Sequence, residues 1–340
     1  MKAVTADPSG GLHYSEIPAP ALPEGGALLR VTAVGICGSD LVKLGHSPAG
    51  TVLGHEVAGV ITETAPGFTR FSPGDRVTTA HHIPCGQCVY CSGGNESQCR
   101  QFRETNLVPG GWAETIAVSG AHLNAVAFAI PDDMEDAVAS LTEPLGCCVR
   151  AIRRSEVKPG EKIAVIGLGP VGMMLAALYR HAGAEVFVLD RIAKRMEEAA
   201  AWYGALPLPA EPSGLSEAAR SATGGFGFDQ VVLAAGAGPT LTLALDLVRR
   251  GGKVHLFSGT PEGELTRFDL NAIYKREVTL FSTYSSSPRD LAVAFDLIAT
   301  RKIACENLIS KRLPLSRVEE GIRAIRSGDA YKVVLEPGRS

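Results

Sequence analysis

A thiol at Cys37 and an imidazole at His55 stand in two short segments, Gly35-Ile36-Cys37-Gly38-Ser39-Asp40 and Gly54-His55-Glu56. Thiolate and imidazole are zinc ligands, and a catalytic zinc keeps one position open for water or substrate. Asp40 and Glu56 stand close enough in sequence to orient those ligands. Taken singly, Cys37 reads as a small buried hydrophobe and His55 as a satisfied core histidine. Three further features turn the reading toward a metal: a four-cysteine cluster, a Glu-Pro pair and a dinucleotide fingerprint.

The cluster is Cys85, Cys88 and Cys91, spaced by two residues, with Cys99 eight positions on. Four thiolates wrap a tetrahedral ion and leave no open position, which is a structural zinc site. An iron–sulfur cluster is the rival, but there the fourth cysteine follows after three residues and precedes proline. Here the gap is longer and Arg100 follows. His81 and His82, just upstream, read as ordinary loop residues.

Glu143 lies among apolar residues before Pro144, in Leu141-Thr142-Glu143-Pro144-Leu145. It reads either as a carboxylate reaching the Cys37–His55 metal or as a solvated helix residue. Cys147 and Cys148 follow as alternative ligands by chemistry and as helix-packing residues by default. Cys305 has no assignable partner.

The fingerprint is Gly167-Leu168-Gly169-Pro170-Val171-Gly172, after the apolar run Ile163-Ala164-Val165-Ile166 and before a helical run from Met173 to Tyr179. Its glycines allow a tight turn and close approach of a pyrophosphate, which sits on the helix N-terminus. Asp190 ends the next strand, eighteen residues after Gly172. An acid there accepts ribose hydroxyls and repels a 2′-phosphate, favouring NAD. Arg191 and Arg195 leave NADP open, since an arginine pairs with phosphate.

These residues need two kinds of frame. The chain has 340 residues, 45% hydrophobic and 20% charged, enough for two globular domains. Its net charge of -3 gives no reason to expect nucleic acid or an anionic membrane as partner. Met1 to Ala6 lacks an apolar run and a cleavage site, so no signal peptide is expected, and no apolar segment is long enough to span a bilayer. Eight cysteines without a secretory signal point to metal or catalysis. Short β-rich runs at Ala27–Val34, Val57–Thr62 and Arg76–Val77 predict a small barrel whose loops carry the zinc residues. A helix is expected from Asp132 running into Leu141-Thr142-Glu143. After Lys162, strands at Glu185–Leu189, Phe228–Leu233, Gly252–Phe257 and Val278–Phe281, with a helix over Thr240–Arg250, predict a doubly wound parallel sheet. Pro288 opens another helix, and a last strand, Lys332–Leu335, returns to the first domain.

Together these motifs resemble the zinc-dependent medium-chain alcohol and polyol dehydrogenases over nearly the whole chain. Glu143-Pro144-Leu145 and Pro109-Gly110-Gly111-Trp112-Ala113-Glu114 resemble the sorbitol and L-iditol dehydrogenase branch; threonine dehydrogenases are also similar. The resemblance implies an α/β fold: a doubly wound parallel Rossmann sheet over 146–285, plus a β-rich, barrel-like (GroES-like) catalytic domain over 1–145 and 286–340. It implies two zinc ions per chain, the catalytic one held by Cys37, His55 and Glu143, with Glu56 exchanging or supporting. It implies NAD-linked oxidation of a secondary alcohol of a polyol or sugar-like small molecule to a ketone, with Ser39 taking the hydroxyl proton. A cytoplasmic homodimer or homotetramer is implied. Many relatives carry a proton-relaying histidine five residues after the cysteine. Here that position is Val42, with Lys43 and His46 nearby. Amino alcohols, cyclitols, sugar phosphates and acyl-CoA-linked alcohols stay open as substrates. Two rivals remain: a reductase of the same fold without catalytic zinc, and a nucleotide or redox sensor.

Overall fold

The computed structural model describes residues 1–260 and 263–339. The chain divides into two compact units, Met1–Gly146 with Ser286–Ser340, and Cys147–Ser285. Among the described residues no helix is long and apolar enough to cross a membrane.

The first unit is built on a mostly antiparallel sheet. Its strands run in the order Ile309–Leu313, Lys332–Leu335, Ala27–Gly35, Glu56–Thr64, Arg76–Thr79 and Ala127–Ala129, with Thr115–Val118 also pairing Ala27–Gly35. A smaller sheet joins Leu12–Glu16, Lys2–Ala6 and Thr51–Val52. Leu29, Val31, Ile61, Val77, Ile116 and Trp112 fill the core between them. Side chains of this size each contribute about 1.5–3 kcal/mol when fully buried. The strand register brings the two ends of the chain together. Gly35 pairs with Glu56 on one side and with Val334 on the other, so Lys332, two residues from Val334, shares a face with it.

The expected helix from Asp132 is two pieces, Asp136–Ala139 and Thr142–Ser155. Pro144 explains the break: it lacks an N–H and its ring would collide with the carbonyl of Ser140 in a continuous helix. In the first turn of the second piece the missing N–H costs nothing, so Pro144 is tolerated, and that helix begins at Thr142 with Glu143 next.

The second unit is an all-parallel sheet in the order Leu206–Pro207, Glu185–Leu189, Lys162–Ile166, Phe228–Leu233, Val248–Leu256 and Thr279–Ser282. Numbered along the chain this is 3-2-1-4-5-6, the doubly wound dinucleotide order. The expected helix over Thr240–Arg250 covers Ala237–Leu247 instead, and the strand begins at once at Val248. β-branched Val248 is already buried at the strand start, so tertiary pairing overrides the helical continuation.

Candidate active site

Cys37 caps the short helix Gly38–Lys43, and its backbone N–H donates to Asp40 Oδ2 at 3.0 Å. The turn thereby holds Asp40 under the site, fully buried. Asp40 Oδ1 meets His55 Nδ1 at 3.2 Å and accepts from the Gly54 N–H at 3.3 Å. Burial alone would raise the Asp40 carboxyl and lower the His55 imidazole. Their mutual attraction outweighs it, holding Asp40 below its ordinary range and His55 above its own. With Nδ1 committed to Asp40, Nε2 is the nitrogen left for a cation. Ser39 Oγ lies 3.3 Å from Cys37 Sγ and 3.5 Å from His55 Nε2. The ligand atoms of Cys37, His55 and Glu56 all stand within 4.8 Å of one another, a sulfur, nitrogen and oxygen set that fits zinc.

Glu56 is fully buried, and Lys332 Nζ donates to both its carboxylate oxygens, at 2.7 and 2.8 Å, and to the Ile36 carbonyl at 3.3 Å. Burial works to lower the Lys332 pKa, but the Glu56 charge wins and raises it. The strand pairing makes this possible only with glycine at 35: a Cβ there would collide with Glu56 Oε2.

Glu143 is buried in the same unit but outside the close three. Its Oε1 lies 4.0 Å from His81 Nδ1. The His81 ring packs at 4.5 Å on His55 and at 3.8 Å on His82, which packs on Phe102. Val42 is 73% exposed, and His46 Nδ1 turns back to the Val42 carbonyl at 3.2 Å.

Cys85, Cys88, Cys91 and Cys99 also bring their sulfurs within 4.8 Å of one another, as free thiols. Cys88 and Cys91 are 3.6 Å apart, and the Cys85 N–H donates to Cys99 Sγ at 3.3 Å. The turns around Val89–Ser92 and Glu96–Gln98 fold the segment on itself. Four converging sulfurs without a disulfide fit a closed tetrahedral ion.

In the second unit, Gly169 caps the helix Pro170–His181 without any side-chain cap, leaving its first N–H groups available to an anion. A Cβ on Gly169 would point into open space, whereas one on Gly172 would strike the Gly167 carbonyl. The turn is therefore tight on one side and open on the other, which fits a pyrophosphate. Val171 follows Pro170 in the first turn. Asp190 accepts from the Leu168 N–H at 2.6 Å and the Ile192 N–H at 2.9 Å. Arg195 lies 4.0 Å from it, and Arg191 is exposed.

The sequence matches the family described as "Alcohol dehydrogenase GroES-like domain" over residues 23–131 and "Zinc-binding dehydrogenase" over residues 170–300. It is 30% identical over 353 residues to the sorbitol dehydrogenase of Halalkalibacterium halodurans, covering 99% of each chain. This chain belongs to the zinc-dependent medium-chain alcohol and polyol dehydrogenases. Among solved structures, the alcohol dehydrogenase of Thermus sp. ATN1 superposes with a TM-score of 0.87 at 31% identity over 99% of each chain. A chain of Sinorhizobium meliloti described as a zinc-binding dehydrogenase bound to NADP gives 0.88 at 28% identity over 99% of each.

For a zinc-dependent dehydrogenase, two residues here were not singled out by sequence. Lys332 sits 276 positions from Glu56, and only the strand register joins them. A lysine inside an apolar terminal strand, Tyr331-Lys332-Val333-Val334-Leu335, was the available signal, since buried lysines are rare unless paired. His81, read as a loop residue, is buried with its Nδ1 unpartnered. Its signal was its place at the end of the buried strand Arg76–Thr79, on the way to the cysteine cluster. Cys148 and Cys305 are buried, as packing residues are, and Cys147 is half-buried.

Proposed function

We propose that this dehydrogenase oxidises, reversibly and with NAD, a secondary alcohol of a polyol or sugar-like substrate to a ketone. The observation that carries the reading is the convergence of Cys37, His55 and Glu56 ligand atoms within 4.8 Å, with the imidazole and the carboxylate each oriented by a buried partner. Asp40 orients His55, and Lys332 orients Glu56. Cys37, His55 and Glu143 are the protein ligands of the catalytic zinc, with Glu56 the exchanging or supporting carboxylate. Cys85, Cys88, Cys91 and Cys99 hold the structural zinc.

A zinc ion in the first site supplies Lewis acidity that lowers the pKa of a substrate hydroxyl. Ser39 Oγ, placed beside both Cys37 and His55, takes up the proton that the hydroxyl gives up while releasing its own, and so acts as a relay. Lys332 Nζ donates to both oxygens of the buried Glu56 carboxylate and so fixes its orientation. A carboxylate in place of a second thiolate makes the centre harder and suits oxygen-rich substrates. In the second unit Gly167, Gly169, Pro170, Val171 and Gly172 receive the pyrophosphate. Asp190 accepts the ribose hydroxyls and disfavours a 2′-phosphate. The similarity to a sorbitol dehydrogenase supports the polyol class. The domains divide accordingly, catalytic over 1–145 and 286–340 and nucleotide-binding over 146–285. The enzyme works as a dimer or tetramer in the cytoplasm.

The test is NADH formation across polyols, cyclitols, amino alcohols and sugar phosphates, with NAD and NADP each supplied and zinc quantified on the same sample. Turnover of polyols with NAD, lost in C37S with the structural ion retained, supports the reading. Normal turnover by metal-free protein overturns it.

A further inference from the structure

We propose that His81 is a positioning residue for Glu143, its Nδ1–H fixing the carboxylate that the catalytic zinc takes. The inference rests on the proposed catalytic zinc site and adds a residue to it.

The geometry has three parts. First, His81 Nδ1 is buried and has no hydrogen-bond partner among the described residues. Buried polar atoms are almost always satisfied, and an exception calls for an explanation. Second, an acceptor stands just beyond bonding length: Glu143 Oε1, 4.0 Å away. A side-chain adjustment of about 1 Å closes that gap to an ordinary hydrogen bond. Third, the imidazole is packed against two other rings. It packs at 4.5 Å on His55 and at 3.8 Å on His82, and its own carbonyl accepts from His122 Nε2 at 3.0 Å. Its backbone is thus anchored and its ring packed from outside, so the donor is preorganised.

Two other members of the site follow the same rule. His55 has Asp40, and Glu56 has Lys332. Glu143 stands in the first turn of the helix Thr142–Ser155, beside Pro144, which fixes its backbone. A hydrogen bond from His81 to one oxygen leaves the other directed at the ion. Partners that orient a ligand in this way are worth about 10–100-fold in metal affinity.

The test uses the full chain loaded with zinc at both sites, and reads affinity at the catalytic site by chelator competition. The spectrum of the protein with cobalt at that site is recorded in parallel. Asn at 81 places an amide donor near the Nδ1 position, Gln places one near Nε2, and Phe keeps the ring without a donor. We expect H81F to lose about 10–100-fold in catalytic-site affinity with the structural ion retained. H81N should recover most of it and H81Q should not. With Glu143→Ala already in place, adding H81F should change nothing further. Wild-type affinity and cobalt spectrum in H81F overturn the inference, as does H81N falling with H81F, which would assign the effect to ring packing. If H81F loses the structural ion and the fold, H81N against H81Q carries the comparison, and equal affinities overturn it. A wild-type chain that takes only one ion, on its four thiolates, fails the catalytic zinc site itself. Two ions with unchanged variants fail only the role of His81.

Discussion

Lys332 Nζ, at the far end of the sequence, sits between the two carboxylate oxygens of Glu56 at 2.7 and 2.8 Å, and both residues are buried. A buried pair gains little net stability over apolar residues of the same size, yet removing one partner strands a charge. The pair therefore serves to hold the Glu56 carboxylate in place beside Cys37 and His55. Lys332→Met should cost about 3–5 kcal/mol in the metal-stripped protein, read as a fall in the urea midpoint. K332M with E56L should recover most of that loss, while weakening the catalytic ion. A single variant as stable as wild type would show that the two charges are not paired in solution.

Gly35 controls the same carboxylate by leaving room for it. Its neighbour across the strands is Glu56, and a Cβ at 35 would occupy the place of Oε2. Gly35→Ala should displace Glu56 from Lys332 and cost about 1–3 kcal/mol by overpacking. It should also lower catalytic-site zinc while leaving the structural ion. Metal analysis after dialysis against a weak chelator decides this, and two tightly held ions in G35A would contradict it.

The parts legible in sequence are those where chemistry and spacing are local. Cys85, Cys88, Cys91 and Cys99 lie on one loop, so their spacing is nearly their geometry. Gly167 to Gly172 is one turn, and its neighbours announce themselves by apolar runs. Cys37 and His55 are further apart, but Asp40 and Glu56 mark them. Lys332 and His81 belong to the other kind. They reach the site through strand register and through a strand end, and neither leaves a motif. The helix break at Ser140 was readable from Pro144 by the clash with the carbonyl four residues back. The strand beginning at Val248 was not, because the helical pattern runs to the residue before it and only pairing with Phe228–Leu233 ends it.

The cysteine cluster predicts a separable metal. Cys99 is its most buried member and receives the Cys85 N–H, so its loss opens the tetrahedron. Cys99→Ala should reduce zinc from about two ions per chain to about one. The segment around Val89–Ser92 should become sensitive to protease, since little besides the ion would hold its turns. A count still near two would mean that the cluster does not bind the structural ion.

Asp190 predicts cofactor preference. Its carboxylate caps two backbone N–H groups and sits within 4.0 Å of Arg195, with Arg191 following. Asp190→Ser removes the charge that repels a 2′-phosphate and leaves two arginines to attract it. The ratio of kcat/KM for NADP over NAD should rise about tenfold or more, on the order of 1.4 kcal/mol. An unchanged ratio would remove Asp190 from the ribose site.

His255 predicts a pH dependence of stability distant from any metal ligand. It lies fully buried in the strand Val248–Leu256, stacked at 4.4 Å on Phe281, with Nε2 at 2.9 Å from Thr283 Oγ1 and Nδ1 unpartnered. Burial first, and the Arg154 charge second, hold its pKa down at about 4. The unfolded chain titrates near its ordinary value of about 6.5. Between those values the unfolded state binds the extra proton, so stability rises with pH across that window. The contribution is fully present above about pH 6.5 and is lost as pH falls toward 4, up to about 3 kcal/mol. His255→Phe keeps the stack on Phe281 and cannot take a proton. At neutral pH it should cost about 1 kcal/mol for the lost hydrogen bond to Thr283. At pH near 4.5 the variant should draw level with wild type or exceed it in urea unfolding, because only the wild type then has a buried imidazole to charge. The other histidines whose pKa burial lowers, His81, His82 and His122, tilt both curves alike, so the difference between the two proteins is the readout. Parallel curves from pH 7 to 4.5 would mean that His255 titrates in the fold as it does in the open chain.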